Sequence, residues 1–176
     1  MLIQRLLLLF SAALLAACNP NRRPPVDPEA LQSPAAEAVL RHVIATCPAI
    51  KEVELAVIGI GDTLAQARPD FVERFKDVSG LEFLDHIRVV AGVAGGKSRR
   101  YDEKTDKPVL ELQISQMTGP KDSVQQAVAA WAFKDDAVRK RYEVTPKTGG
   151  GFEIKELEAI PVAPINDDRR SARGRK

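Results

Sequence analysis

Between residues 109 and 160, runs with a period of two are separated by short polar breaks. In VLELQISQM (109–117), Leu110, Leu112 and Ile114 share one parity, and Glu111, Gln113 and Ser115 the other. AVAAWAF (127–133) sets Ala127, Ala129, Trp131 and Phe133 on one side, and Lys134-Asp135-Asp136 breaks the run with turn-forming Asp. RKRYEVT (139–145) alternates charge with Tyr142 and Val144, PKTGGG (146–151) is a hairpin signal, and FEIKELEAI (152–160) resumes with Phe152 and Ile154 in phase. A period of two sends alternate side chains to opposite faces of a strand. The pattern therefore predicts four strands joined by short polar links, an antiparallel meander with one apolar face.

Upstream the period changes. Ser33-Pro34 reads as an N-cap followed by Pro at the first helical position, and Val39, Leu40, Val43, Ile44 and Cys47 recur on one helical stripe until Pro48 closes it. Arg41 and His42 fall off that stripe. Val53, Leu55, Val57 and Ile58 to Ile60 form a strand-like run ending at Gly61-Asp62. Pro69 predicts a second helix, with Phe71, Phe75 and Val78 at i, i+4 and i+7 and Gly80 as its stop. Ile87, Val89, Val90 and Val93 predict another strand. The expected class is α+β: two N-terminal helices packed on a curved, mainly antiparallel sheet that ends in a strand meander.

Helices first, then a sheet ending in Arg-Tyr-Glu-Val and Gly-Gly-Gly-Phe-Glu-Ile, is an order that resembles the NTF2-like or cystatin-like roll over about residues 105–160. The resemblance implies a cone-shaped domain of the kind used for small-ligand pockets, for occasional enzymes, and for assembly or inhibitor modules. A fold of that kind does not fix a function.

The ends of the chain carry different information. MLIQRLLLLFSAALLAACNP has one cation, Arg5, then an uncharged run from Leu6 to Ala17, with small residues before Cys18. That is the layout of a secretory signal peptide, and the run is shorter than the roughly 20 residues a membrane-spanning helix needs. Leu15-Ala16-Ala17-Cys18 resembles the lipobox of bacterial lipoprotein precursors. The resemblance implies lipid on the Cys18 thiol, cleavage after Ala17, and acylation of the new terminus. With Asn19 where inner-membrane lipoproteins of this class carry Asp, it implies sorting to the outer membrane, the domain facing the periplasm.

The expected organisation is a signal peptide over 1–17, a lipidated Pro-rich tether over 18–31, one α+β domain over 32–166, and a disordered basic tail over 167–176. The net charge of +2 conceals a division. Residues 31–166 hold 18 Lys and Arg against 20 Asp and Glu, whereas 167–176 hold five basic and two acidic residues. The tail therefore suits anionic head groups by Coulomb attraction, and equally suits a solvated terminus.

Chemistry is sparse. AGVAGGKS (91–98) matches a loose phosphate-binding loop through Gly96, Lys97 and Ser98. The charged RRYDEKTDKPV that follows offers no helix whose N-terminal amides would hold phosphate, so the expectation is a glycine-rich link between two strands and no ATP site. Asp85-His86 is the only adjacent acid and imidazole, and in a strand such neighbours face opposite ways. Two histidines and Cys47 do not make a zinc site, Asp135-Asp136 falls short of a calcium loop, and no cofactor is implied. Cys47, on the apolar stripe, reads as a buried thiol without a disulfide partner. Arg139, Lys140 and Arg141 beside Tyr142 are better explained by a strand with one wet face than by nucleic acid, given the near-neutral domain.

These readings lead to the expectation of a non-catalytic lipoprotein whose domain binds an envelope protein or a small ligand. Trp131 and Phe133 are the candidate pocket lining, and Arg99, Arg100 and Tyr101, on an exposed loop over 91–101, the candidate partner contact. The competing expectations are a hydrolase-like enzyme using Asp85 or His86 in the pocket of the roll, and an inhibitor or immunity protein presenting the 91–101 loop to its target.

Overall fold

Ser33 and Pro34 start the first helix as their residue types require. The Ser33 hydroxyl accepts from the Ala36 amide at 3.3 Å, Pro34 occupies the first turn, and α1 runs over Pro34–Thr46. In this computed structural model, which describes residues 26–94 and 97–161, α1 buries Ala35, Ala36, Val39, Leu40, Val43 and Ile44. Cys47 turns extended, and Pro48 opens a 3-10 segment over Pro48–Glu52.

The sheet is centred on β1 (Leu55–Ile60), every residue of which is buried. Its even positions Ala56, Ile58 and Ile60 join the main core under α1, whereas Leu55 and Val57 pack with Leu84 and Val109 in a second, smaller cluster on the other face. The unbroken LAVIGI run is the signature of a strand covered on both sides. On one flank β1 pairs antiparallel with β2 (Ala65–Gln66) and parallel with β3 (Glu82–Phe83). On the other it pairs parallel with β6 (Leu110–Thr118), from Ala56 opposite Leu110 to Ile60 opposite Ile114.

From β6 the chain meanders antiparallel through β7 (Gln125–Phe133), β8 (Asp136–Pro146) and β9 (Phe152–Ile160), giving the order β2-β1-β6-β7-β8-β9. The four alternating segments are thus four paired strands, and the fold is mixed α+β with a mostly antiparallel sheet. Bulges between Ile114 and Gln116, and between Lys140 and Tyr142, shift the register. A bulge bends a strand and steepens its twist, which wraps the apolar face, with Ala127, Ala129, Tyr142 and Val144, around α1.

Three expectations need correction. The second helix, α2, spans only Pro69–Glu73, and the chain goes on as i to i+3 turns, Phe75 amide to Val72 carbonyl and Val78 amide to Phe75 carbonyl. Aromatic and β-branched side chains at Phe71, Val72, Phe75 and Val78 weaken helix propensity, and the turns still bury Phe71 and Phe75 completely, edge to face at 5.5 Å. Leu31, expected at the end of the tether, is 1% exposed, and the Gln32 side-chain oxygen accepts from the Arg68 amide at 2.7 Å, so the packed domain begins before residue 32.

The third correction concerns the 91–101 loop. It is a hairpin of β4 (Val89–Ala94) and β5 (Lys97–Asp102), a two-stranded sheet apart from the main one. Cross-strand pairing satisfies the backbone that a loop would leave to water. Ile87, expected in that strand, stands in the preceding 3-10 turn. The signal peptide, Cys18 and the basic tail lie outside the described residues.

Candidate binding site

A tight turn builds a depression between β7, β8 and the 3-10 segment. Phe133 at the end of β7 pairs with Asp136 at the start of β8, so Lys134 and Asp135 alone make the connection, and Lys134 adopts a left-handed φ of 52°. This brings the Lys134 ammonium 5.0 Å from the centre of the Phe133 ring and 2.8 Å from Glu52 on the 3-10 segment. The resulting cavity, about 390 Å³, has Trp131, Phe133 and Val138 on the sheet side and Pro48, Ala49 and Glu52 opposite. Phe133 is 4% exposed and forms floor, whereas Trp131 is half-buried and forms wall. The two candidate lining residues are therefore brought together. The Lys134 cation holds the Glu52 carboxyl below its usual range, and as a surface pair it contributes little stability. The site offers an apolar wall with the Lys134 cation and the Glu52 and Asp136 carboxylates at its rim, a layout for a ligand with an apolar body and a polar end.

Asp85 and His86 belong to a different depression of about 230 Å³, with Ala67, Val72 and Leu84 among its walls. Residues 86–88 form a 3-10 turn instead of a strand start, so the opposite-faces argument does not apply, and both residues line the same depression. They still do not form a dyad. One Asp85 oxygen accepts from the Gln66 side chain at 2.8 Å and from the Ile87 amide at 3.3 Å, and His86 Nε2 lies 2.8 Å from the Ile58 carbonyl. Each is committed to holding the turn against β1 and β2.

A third group was not visible in the sequence. His42 Nε2 lies 3.1 Å from Glu156, whose other carboxylate oxygen accepts from Lys140 Nζ at 2.6 Å. The Tyr142 ring meets the His42 ring edge to face at 5.9 Å. Lys140 first, then His42, hold the Glu156 carboxyl below its ordinary value, and burial, with the Glu156 charge second, pushes the Tyr142 phenol up to about 12. These residues are 114 positions apart at the extreme. Only the parity of Lys140 and Tyr142 hinted at a shared face.

The candidate partner residues stand on β5. Arg100 Nε donates to Glu111 at 2.7 Å, and Tyr101 is half-buried beside Pro108, so neither is a free loop residue. Lys97 and Ser98 begin a strand, where no helix N-terminus exists to bind phosphate; Gly96 lies outside the described residues. Cys47 is buried, and burial raises its thiol pKa, which keeps it protonated and unreactive near neutral pH. Among the described residues no group of three His, Cys, Asp or Glu is placed to hold a metal, and no helix is long and apolar enough to cross a membrane. Comparison of the chain with protein-family models, curated proteins and solved structures finds no match.

Proposed function

We propose that the chain is an outer-membrane lipoprotein, anchored through Cys18, whose periplasmic domain is a roll of the NTF2-like or cystatin-like kind that binds a ligand at Trp131. The observation that carries the binding role is the Trp131 and Phe133 cavity, an aromatic wall and floor bordered by the Lys134 and Glu52 charges. The lipobox-like Leu15-Ala16-Ala17-Cys18 supports the anchor, and a helix laid across a bent antiparallel meander supports the roll. The ligand is a small amphipathic molecule, or an apolar side chain with a neighbouring charge on an envelope protein. Arg99, Arg100 and Tyr101 on β5 are the further surface offered to such a protein.

Trp131 is the only tryptophan, so its fluorescence reports on this site alone. Titrating the protein with an extract of envelope lipids and soluble periplasmic metabolites should quench or blue-shift the emission saturably, and Val138→Arg, which fills the mouth, should abolish the change. Emission unmoved by every fraction would reject the cavity as the binding site. For the anchor, mass spectrometry of the mature N-terminus should find an acylated Cys18, and Cys18→Ala should leave the leader uncleaved.

A further inference from the structure

The two sheets end in edges of opposite character. The outer edge of β9 carries Glu153, Lys155, Glu156 and Glu158. A two-fold pairing through its middle would set Glu156 against Glu156 or Lys155 against Lys155, and like charges directly opposite are destabilising. Edge charge of this kind is how folded proteins prevent strand-to-strand association. β4 reads Val-Val-Ala-Gly-Val-Ala, with no charge and no proline. Among the described residues only β5 pairs with it.

The hairpin register fixes which backbone groups face outward. Ala91 stands opposite Arg100, and the Arg100 carbonyl turns away from β4 to accept from the Val109 amide at 2.9 Å. The Arg88 carbonyl, three residues before Ala91, turns toward β5 and accepts from the Glu103 amide at 2.7 Å. Since backbone direction alternates along a strand, the amides and carbonyls of Val89, Ala91 and Val93 point to the open side. Beside them stand two exposed apolar residues, Ile87 at 82% and Val90 at 41%.

We propose that the outer edge of β4 is a self-association surface, pairing antiparallel with β4 of a second copy of this chain. A two-fold axis at Ala91 sets Ala91 against Ala91, Val89 against Val93 and Val90 against Gly92. That register uses every outward backbone group of Val89, Ala91 and Val93 and brings no like charges together. The product is a four-stranded sheet, β5-β4-β4-β5, and the isologous contact closes at two copies. An interface this small belongs to the weak, concentration-dependent class. The pairing is independent of any ligand at Trp131 and of the lipid on Cys18.

The full-length chain in a non-ionic detergent, followed by sedimentation over a hundredfold range of concentration, should show a monomer–dimer equilibrium. Ala91→Pro removes one outward amide and no amide of the β4–β5 ladder, so it should weaken association at least tenfold. Val90→Lys, at an exposed position, should do the same and serves where the proline disturbs the hairpin. A photoreactive residue at Val90 should cross-link to residues 91–93 of the second copy. The proposal is overturned by a monomer at every concentration, by a dimer that both variants leave intact, or by a Val90 cross-link running to a different protein.

Discussion

His42 on the first helix and Glu156 on the last strand meet at 3.1 Å, and Lys140 holds the second oxygen of the same carboxylate at 2.6 Å. The contact joins α1 to the edge strand that closes the meander. Because the Glu156 carboxyl is held below its ordinary value of 4.5, its contribution to stability is present above that value and is lost as pH falls through the depressed one. Glu156→Gln keeps the shape and removes the charge. With Glu156 and Lys140 each about one-third exposed, the loss at neutral pH should be about 0.2–1 kcal/mol and should shrink in high salt. Urea unfolding at a series of acidic pH values should show a flatter acid limb for the variant, and an equally steep limb would count against the contact.

Tyr142 predicts the alkaline limb. Burial in the core stabilises the neutral phenol, whose pKa rises from 10.0 to about 12. The stabilisation is complete below the unfolded value and is lost as pH rises from 10 toward 12. In a Tyr101→Phe chain, Tyr142 is the sole tyrosine, and its phenolate absorbance should appear only together with loss of tertiary structure. Tyr142→Phe should extend the stable range upward. Ionisation of Tyr142 at ordinary pH in the folded chain would refute the burial argument.

The meander was legible because one physical signal decides most of it: Leu110, Leu112 and Ile114 sit in phase with Ala127, Ala129 and Tyr142, and β6 and β8 set polar side chains on the opposite parity. Helix α1 was legible through Ser33, Pro34 and its apolar stripe. Less legible was anything set by long-range pairing. β2 and β3 have two residues each, and only their partner β1 makes them strands. The 91–101 segment is glycine-rich, and its strand character comes from the register of β4 with β5 together with the bond from Val109 to Arg100. At the site, Trp131 and Phe133 were visible through parity. Their opposite wall, Pro48 to Glu52, and the His42–Glu156 contact come from tertiary packing, which local periodicity does not encode.

Asp102 and Arg88 predict what anchors the hairpin. Asp102 is fully buried, takes a two-pronged contact from Arg88 at 3.1 and 3.0 Å, and accepts from the Thr105 hydroxyl at 2.7 Å. The Thr105 hydroxyl first, then Arg88, hold its carboxyl below the usual value. Asp102→Asn removes the charge that Arg88 was placed to meet. Hydrogen exchange across 89–102 should accelerate far more than exchange in β6 to β9, and the loss should exceed that of Glu156→Gln, because the bonds lost at the buried Asp102 are charge-assisted and shielded from water, although Arg88 keeps its contact with Glu82 at 3.2 Å. As acid protonates Asp102, the native hairpin should loosen in the same way, and the variant's hairpin should not change with pH. Uniform acceleration through both sheets would mean that the pair supports the whole fold and not the hairpin.

Gly119 sits where β6 turns toward β7, with φ at +106°. A Cβ at this position would stand 3.0 Å from the Val124 carbonyl oxygen and 3.2 Å from the Gln125 Cα, both backbone atoms that no rotamer change can move aside. Gly119→Ala therefore combines a conformation that L side chains avoid with a contact against main chain, and should cost about 1–3 kcal/mol. Gly149 has a similar φ of +97° but nothing within 4 Å of an added Cβ, so Gly149→Ala carries the strain without the clash and should cost less. Thermal unfolding of the two variants side by side separates the terms. Equal losses would assign the whole effect to φ, and a greater loss at Gly119 would measure how closely the turn approaches β7.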